Sequence, residues 1–338
     1  MSNKSRSTTV ARVLTIAIAC QGLLGCRGME ERRAERRASR SASRADVRAG
    51  EAVDLGSRLR EQGLLDQALR EFERAIEINP TLTTAYMGAG DIYRERGDFE
   101  SAEVQYREAV RTAPNEFDPN YWHGHALQML NRITEAVRAY LRALAIRPED
   151  FNANLNLATA YLQLGENAQA VIYAERAVRI NPDDGPAHVN LGAAYANAGR
   201  HGEAIEQYEI AAELMPLGPE LLLNLAESQG KVGRYAEMAG TINEVIRQQP
   251  TAPAYERLGS ALFRMGRYDD ALAAFHESAR ADERHYPAWN GIGVCLLNRY
   301  VWSGRSDLAS LDEARDALRR SLQIERDQPR IAELLTRY

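Results

Sequence analysis

Three asparagines, Asn156, Asn190 and Asn224, stand 34 residues apart along the chain. A carboxamide offers donors and an acceptor, so a row of them can pair with a peptide backbone whatever its side chains are. Upstream, Tyr121, Trp122, His125 and Met129 gather aromatic and apolar surface that can anchor one apolar ligand side chain. The same residues can equally pack Trp122 against a neighbouring helix. Downstream, Arg257 and Arg264, with Phe263 between them, can meet a ligand carboxylate or form a solvated charged face. His123 and His125 are two residues apart and point to different faces of a helix, so no metal pair is expected. Asp269 and Asp270 belong at a helix start, where acids favour the positive end. The chain carries no phosphate-binding glycine loop, no plausible nucleophile–base–acid set and no spaced metal ligands. The expectation is therefore a binding protein and not an enzyme. No catalytic residue, metal, cofactor or small-molecule substrate is expected.

The elements that would position these residues follow from a period. Prolines fall at 80, 114, 148, 182, 216 and 250, every 34 residues. Counting units from residue 49, the eighth place reads Gly56, Gly90, Gly124, Ala158, Gly192, Ala226, Gly259 and Gly293. The twentieth reads Ala68, Ala102, Ala136, Ala170, Ala204, Met238, Ala271 and Ala314. The twenty-fourth reads Phe72, Tyr106, Tyr140, Ala174, Tyr208, Ile242, Phe275 and Leu318. Places 20, 24 and 27 are spaced by four and three and so share one helix face. Small residues at places 8 and 20 let two helices approach, and the large side chain at place 24 fills the remaining gap. Gly63, Gly97, Gly165, Gly199, Gly233 and Gly266 recur near place 15, with Asn131 substituting, as residues that tolerate a left-handed turn. Proline near place 32 stops the second helix. No unit can bury its apolar face alone, so the units must stack.

Composition agrees. Hydrophobic residues make up 45% and charged residues 26%, which excludes bulk disorder, and an aromatic share of 7% with abundant alanine favours packed helices. The net charge of -5 is uneven: residues 1–25 carry +3, residues 27–48 carry +4, and the remainder carries -12. A body that acidic does not suit nucleic acid. Cys20 and Cys26 lie near the N-terminus and Cys295 stands alone, which excludes an internal disulfide framework; Cys295 is expected as a small core residue.

The repeat resembles the tetratricopeptide repeat family over residues 49–326. The resemblance implies an all-α fold, a right-handed superhelix (α-solenoid) of about eight helix–turn–helix repeats with a concave groove lined by the first helix of each unit, and a role in binding proteins or peptides. It places Asn156, Asn190, Asn224, Tyr121, Trp122, His125, Met129 and Arg257 on that groove. Two units depart from the pattern. The sixth is weak, with Met238, Ile242 and Val245 at its small or aromatic places, and one residue short before Leu258. The eighth carries an insertion of about nine residues around 300–310, with an exposed Trp302 expected there. Residues 327–338 are expected to form a capping helix.

The N-terminus reads as an address. Val13 to Leu24 is mostly apolar, too short to span a bilayer and suited to a signal-peptide core, so residues 1–25 are expected to be a signal peptide. Leu23-Leu24-Gly25-Cys26 resembles the lipobox of bacterial lipoproteins, which implies lipidation of Cys26; ordinary cleavage after Ala17-Ile18-Ala19 and an uncleaved anchor are the alternatives. Residues 26–48 form an Arg-rich tether, either a solvated spacer or a contact to anionic lipid. The expectation is an exported lipoprotein on a cell-envelope membrane, the outer one facing the periplasm if there are two. There it would act as a scaffold for a protein or peptide partner, or alternatively as targeting subunit for a separately encoded peptidoglycan hydrolase or glycosyltransferase.

Overall fold

The computed structural model describes residues 41–216 and 218–338. All regular structure among them is helical, in the helix–turn–helix order that the period predicts. The signal-peptide segment, Cys26 and the first part of the tether lie outside the described residues.

The chain divides into two units at Ile146 and Arg147. The first holds three helix pairs: α1 (41–61) with α2 (Leu65–Ile78), α3 (Thr83–Glu95) with α4 (Phe99–Thr112), and α5 (Phe117–Met129) with α6 (Ile133–Ile146). The second holds five: α7 (Phe151–Leu164) with α8 (Asn167–Ile180), α9 (Gly185–Asn197) with α10 (His201–Leu214), α11 (Pro219–Lys231) with α12 (Tyr235–Gln248), α13 (Ala252–Arg264) with α14 (Tyr268–Ala281), and α15 (Tyr286–Trp302) with α16 (Leu308–Ile324). A last helix, α17 (Pro329–Arg337), lays Ile331, Leu334, Leu335 and Tyr338 on the core of the eighth pair.

The turn glycines do what their spacing demands. Gly63, Gly97, Gly165, Gly199, Gly233 and Gly266 have φ between +73° and +79°, and Asn131 takes the same left-handed conformation at +57°. The small residues at place 8 also act as expected. A β-carbon on Gly90 would stand 2.7 Å from the ring of Tyr106, and one on Gly192 would stand 2.8 Å from Tyr208. The knob at place 24 therefore sits against the first helix of its own pair, and the rings of Tyr106, Tyr140 and Tyr208 are essentially inaccessible.

One contact recurs that the period carried without advertising it. At the fourth place of five first helices a polar side chain reaches back six residues to a turn carbonyl. Tyr86 Oη donates to Pro80 O, Asn120 Nδ2 to Pro114 O, Asn154 Nδ2 to Pro148 O and Trp289 Nε1 to Glu283 O, while His188 Nε2 lies 2.9 Å from Pro182 O. A carbonyl left over in the turn between pairs is thereby satisfied. The signal was present as a column of donors broken at Ala52 in the first unit and Leu222 in the sixth.

Two regions differ in detail from a plain reading of the sequence. Helix is continuous from residue 41, so the end of the tether is already part of α1; packing begins at Ala49, although Asp46 accepts a hydrogen bond from Asn79 Nδ2. The nine-residue insertion is mostly helix: α15 and α16 are each 17 residues long where their counterparts have 13 or 14. Trp302 ends α15 at 66% exposure, edge-on to Tyr268 at 4.6 Å. Cys295 is buried, and burial pushes its thiol up to about 12.

Candidate functional site

In the first unit, α5 brings Tyr121, Trp122 and His125 together. Trp122 meets Tyr121 edge-on at 4.9 Å and His125 edge-on at 5.5 Å, and stacks near Tyr106 of the preceding pair at 6.4 Å. The guanidinium of Arg94 lies 4.3 Å over the Trp122 ring. Tyr121 continues the cluster to Phe117 at 5.6 Å. Met129, at the end of α5, is the most exposed of the predicted group at 53%. Each ring pair contributes about 0.5–1.5 kcal/mol and the cation–π contact about 0.5–2 kcal/mol. A ligand seeking the covered face of Trp122 must first displace Arg94.

His123 and His125 face different neighbours. His123 Nε2 lies 3.2 Å from Glu103 Oε1, a buried carboxylate that Arg107 and Arg132 also approach. His125 faces Trp122, and its Nδ1 is buried with no hydrogen-bond partner. Burial holds the His125 imidazole below its ordinary value, and Arg94 acts in the same direction. The folded chain thus binds this proton less readily than the unfolded chain. Stability is full above the unfolded value near 6.5 and is lost as pH falls below it. Thermal unfolding followed from pH 7.5 to 5.5 should show a falling midpoint, and His125→Gln should fall less steeply. An unchanged slope in the variant would remove His125 from the account.

In the second unit, α7, α9 and α11 carry Asn156, Asn190 and Asn224 at equivalent places. Asn156 and Asn190 are half-buried, whereas Asn224 is exposed. Asn190 Nδ2 donates to Thr159 Oγ1 of the preceding pair at 3.1 Å, and that hydroxyl donates onward to Leu155 O. The Asn190 amide thus already spends a donor inside the protein. Local sequence fixes where their helices begin. Asp150 and Asp184 cap α7 and α9 by accepting from Ala153 N and Ala187 N.

Arg257 lies on α13 one face with Arg264, seven residues on. Together with Glu227, Lys231, Tyr235 and Met238 they line a cavity of about 400 Å³. Its origin is the irregular sixth repeat. Met238 replaces the usual alanine, and Gly230 makes room for it: a β-carbon there would stand 2.9 Å from the Met238 sulfur. A second cavity of about 490 Å³ opens on the other side of α13, lined by Ser260, Phe263, Arg264, Phe275, Asn290 and Val294 among others. Gly291 packs directly over the buried Phe275 ring at its floor, since a β-carbon at that place would stand 2.4 Å from the ring. Arg264 and Ser260 border both cavities. Of these residues only Arg257, Arg264 and Phe263 were legible as candidates. Asn290 and Gly291 were not, because nothing in their own spacing distinguishes them from ordinary repeat residues. Among the described residues no group of three His, Cys, Asp or Glu side chains is arranged to hold a metal ion.

A family model described as tetratricopeptide repeat matches residues 53–117, 122–185 and 256–329, and a second with the same description matches 173–206. A segment is similar to protein O-mannosyl-transferase TMTC1 of Homo sapiens, 37% identical over 60 residues, which is 18% of this chain and 7% of that protein. The Mus musculus protein of the same name is matched equally, over 6% of its length. The chain thus spans less than a tenth of these relatives. Among solved structures, it resembles a tetratricopeptide repeat protein from Parabacteroides merdae (TM-score 0.50, 20% identity, 75% of this chain and 97% of that one). It also resembles pilF of Pseudomonas aeruginosa (TM-score 0.50, 21% identity, 61% and 94%). The type IV pilus biogenesis factor PilW is similar at TM-score 0.50 and 22% identity, over 60% and 94%. These structural likenesses are likenesses of fold.

Proposed function

The chain belongs to the tetratricopeptide repeat family, and from that premise we propose that it is an interaction scaffold binding an extended segment of a partner protein along the first helices of its repeats. We propose further that it works at the cell envelope, exported and held on a membrane through lipid on Cys26, in the assembly of an envelope complex. The observation that carries the binding role is positional. Three successive first helices of the second unit present Asn156, Asn190 and Asn224 at one place, and cavities open beside Arg257 on the first helix of the next repeat and its neighbours. Packed first helices lie about 8–10 Å apart. An extended ligand rises about 3.3 Å per residue, so each asparagine meets roughly every third residue. No helix among the described residues is long and apolar enough to cross a membrane, so the proposed attachment rests on the N-terminal segment.

Crosslinking pull-down from envelope fractions tests the binding role. Replacing Asn156, Asn190 and Asn224 together by alanine should lower partner recovery several-fold. Thermal unfolding should shift little, because a hydrogen bond such as that of Asn190 to Thr159 is worth about 1 kcal/mol. Recovery equal to that of the native chain would sink the asparagine reading.

The 60-residue likeness to an O-mannosyl-transferase favours one second reading, a targeting subunit for a separately encoded envelope glycosyltransferase. Genes of a wall enzyme beside this one would support it, and genes of a pilus or secretion apparatus would support the assembly role. In either reading the chain itself binds without turning over substrate. Hydrolase or transferase turnover by the purified protein would overturn that.

A further inference from the structure

Asn290 stands beside the second cavity with its amide held in one orientation. The clamp is Gln328, a buried side chain just before α17. Its Nε2 lies 2.8 Å from Glu325 O, 2.9 Å from Ser321 Oγ and 3.3 Å from Ser321 O. Carbonyls only accept, and the Ser321 hydroxyl already donates to Tyr286 O. Gln328 therefore has its nitrogen fixed on these acceptors, and its Oε1 accepts from Asn290 Nδ2 at 2.7 Å. This leaves Asn290 Oδ1 as a committed acceptor. It is buried, and none of the described residues donates to it. A buried acceptor without a donor is unfavourable, and an N–H that reaches it as the cavity opens relieves that cost.

The surroundings say what should accompany that N–H. Phe263 and Val294 form the cavity's apolar wall, and the buried Phe275 ring lies beneath Gly291 at its floor. Across Ser260 the neighbouring cavity gathers Lys231, Arg257 and Arg264. Among the described residues none of these three cations holds an ion pair, whereas nearby Arg247, Arg267 and Arg280 each pair with an acid three residues away. The two carboxylates present, Glu227 and Glu256, do not balance them, and Glu256 already accepts from Ser260 Oγ. A local positive surplus on an otherwise acidic body calls for an anionic group.

We propose that the first-helix face of the sixth to eighth repeats is a two-part site for an extended segment of a partner protein. A large apolar side chain rests against Phe263 and Val294, Asn290 Oδ1 accepts a backbone N–H as the cavity opens around it, and a carboxylate side chain about three residues away lies among Lys231, Arg257 and Arg264. The spacing follows from a helix separation of about 8–10 Å and a rise of about 3.3 Å per extended residue. The inference rests on the reading of the first helices as the peptide-binding surface, and it narrows the ligand to an apolar-acidic pattern.

Phage-displayed random decapeptides selected on the full-length chain, with affinities of the winners measured by fluorescence anisotropy, test it. The winners should carry a large apolar residue with Asp or Glu two to four positions away. Arg257→Glu/Arg264→Glu should weaken them at least tenfold and, on reselection, favour Lys or Arg at the acidic position. Arg264 is exposed, so folding should survive, and an unchanged melting curve establishes it. Asn290→Ala should weaken the same peptides several-fold. Winners without the apolar-acidic pattern, or winners indifferent to the charge reversal, overturn the proposal. If binding is lost in the triple asparagine variant but not in the charge reversal, the general peptide-binding reading stands and this site falls. No enrichment of any peptide overturns both.

Discussion

Phe72→Ala should destabilise the first repeat by about 3–5 kcal/mol, the range for emptying a buried aromatic position. Phe72 is 2% exposed and joins three helices. It touches α1 where Gly56 lacks a side chain, and α3 where Gly88 lacks one; β-carbons there would stand 3.0 Å and 2.4 Å from the ring. Its loss therefore removes packing within the first repeat and packing between the first and second repeats at once. In a stacked array the end repeat has one neighbour to hold it. The deficit should therefore appear as local opening before global unfolding. Hydrogen exchange checks this directly: amides of α2 should lose protection by a factor of about a hundred or more, since each 1.4 kcal/mol is tenfold, while those of α10 keep theirs. Gly88→Ala, which pushes a methyl into the same ring, should cost about 1–3 kcal/mol. Full protection of α2 in Phe72→Ala would mean that the ring is not the tie between these repeats.

The same contact explains what could and could not be read from the residues alone. A period reveals what every unit must satisfy. The left-handed turns at Gly63 through Gly266, their substitution by Asn131, and the glycine-on-ring contacts at Gly90 and Gly192 are requirements of each unit, so they recur and were legible. The sixth place was harder. It sits over the knob of the preceding unit, as Gly88 over Phe72, Trp122 over Tyr106 and Gly291 over Phe275 show. Its residue is chosen partly by that knob, so a side chain there serves packing and surface together. Trp122 shows the consequence, with Arg94 and three rings already around it. The cavities arise where units depart from the rule. Met238 and the missing residue before Leu258 were legible as irregularities, but not as the wall of a cavity. The orientation of Asn290 depends on Gln328, 38 residues on and beyond the last repeat, so no spacing within a unit could announce it.

Cys26→Ala should move the protein out of the membrane fraction. The forces that could hold the N-terminal segment on a bilayer differ enough in size to be separated. Buried acyl methylenes contribute about 0.8 kcal/mol each, and a single myristoyl chain binds with an association constant of only about 10⁴ M⁻¹, so stable attachment takes more than one chain or a chain with a basic patch. The basic patch exists: residues 27–48 carry a net +4. Near an anionic surface each such charge is worth about 1 kcal/mol. That attraction is screened over about 3 Å at 1 M salt, whereas acyl burial is not weakened by salt. Native chain should therefore stay with membranes through a 1 M salt wash, leave in detergent and incorporate an alkyne-palmitate label. Cys26→Ala should lose the label and appear either in the soluble fraction or as a longer unprocessed chain. Cleavage after Ala19 predicts a different pattern, with native and variant chains of equal size, both soluble and unlabelled. Retention by the basic segment alone predicts a third, in which both chains wash off together in salt. Either of the last two results would leave the repeats as they are and take the lipid out of the function.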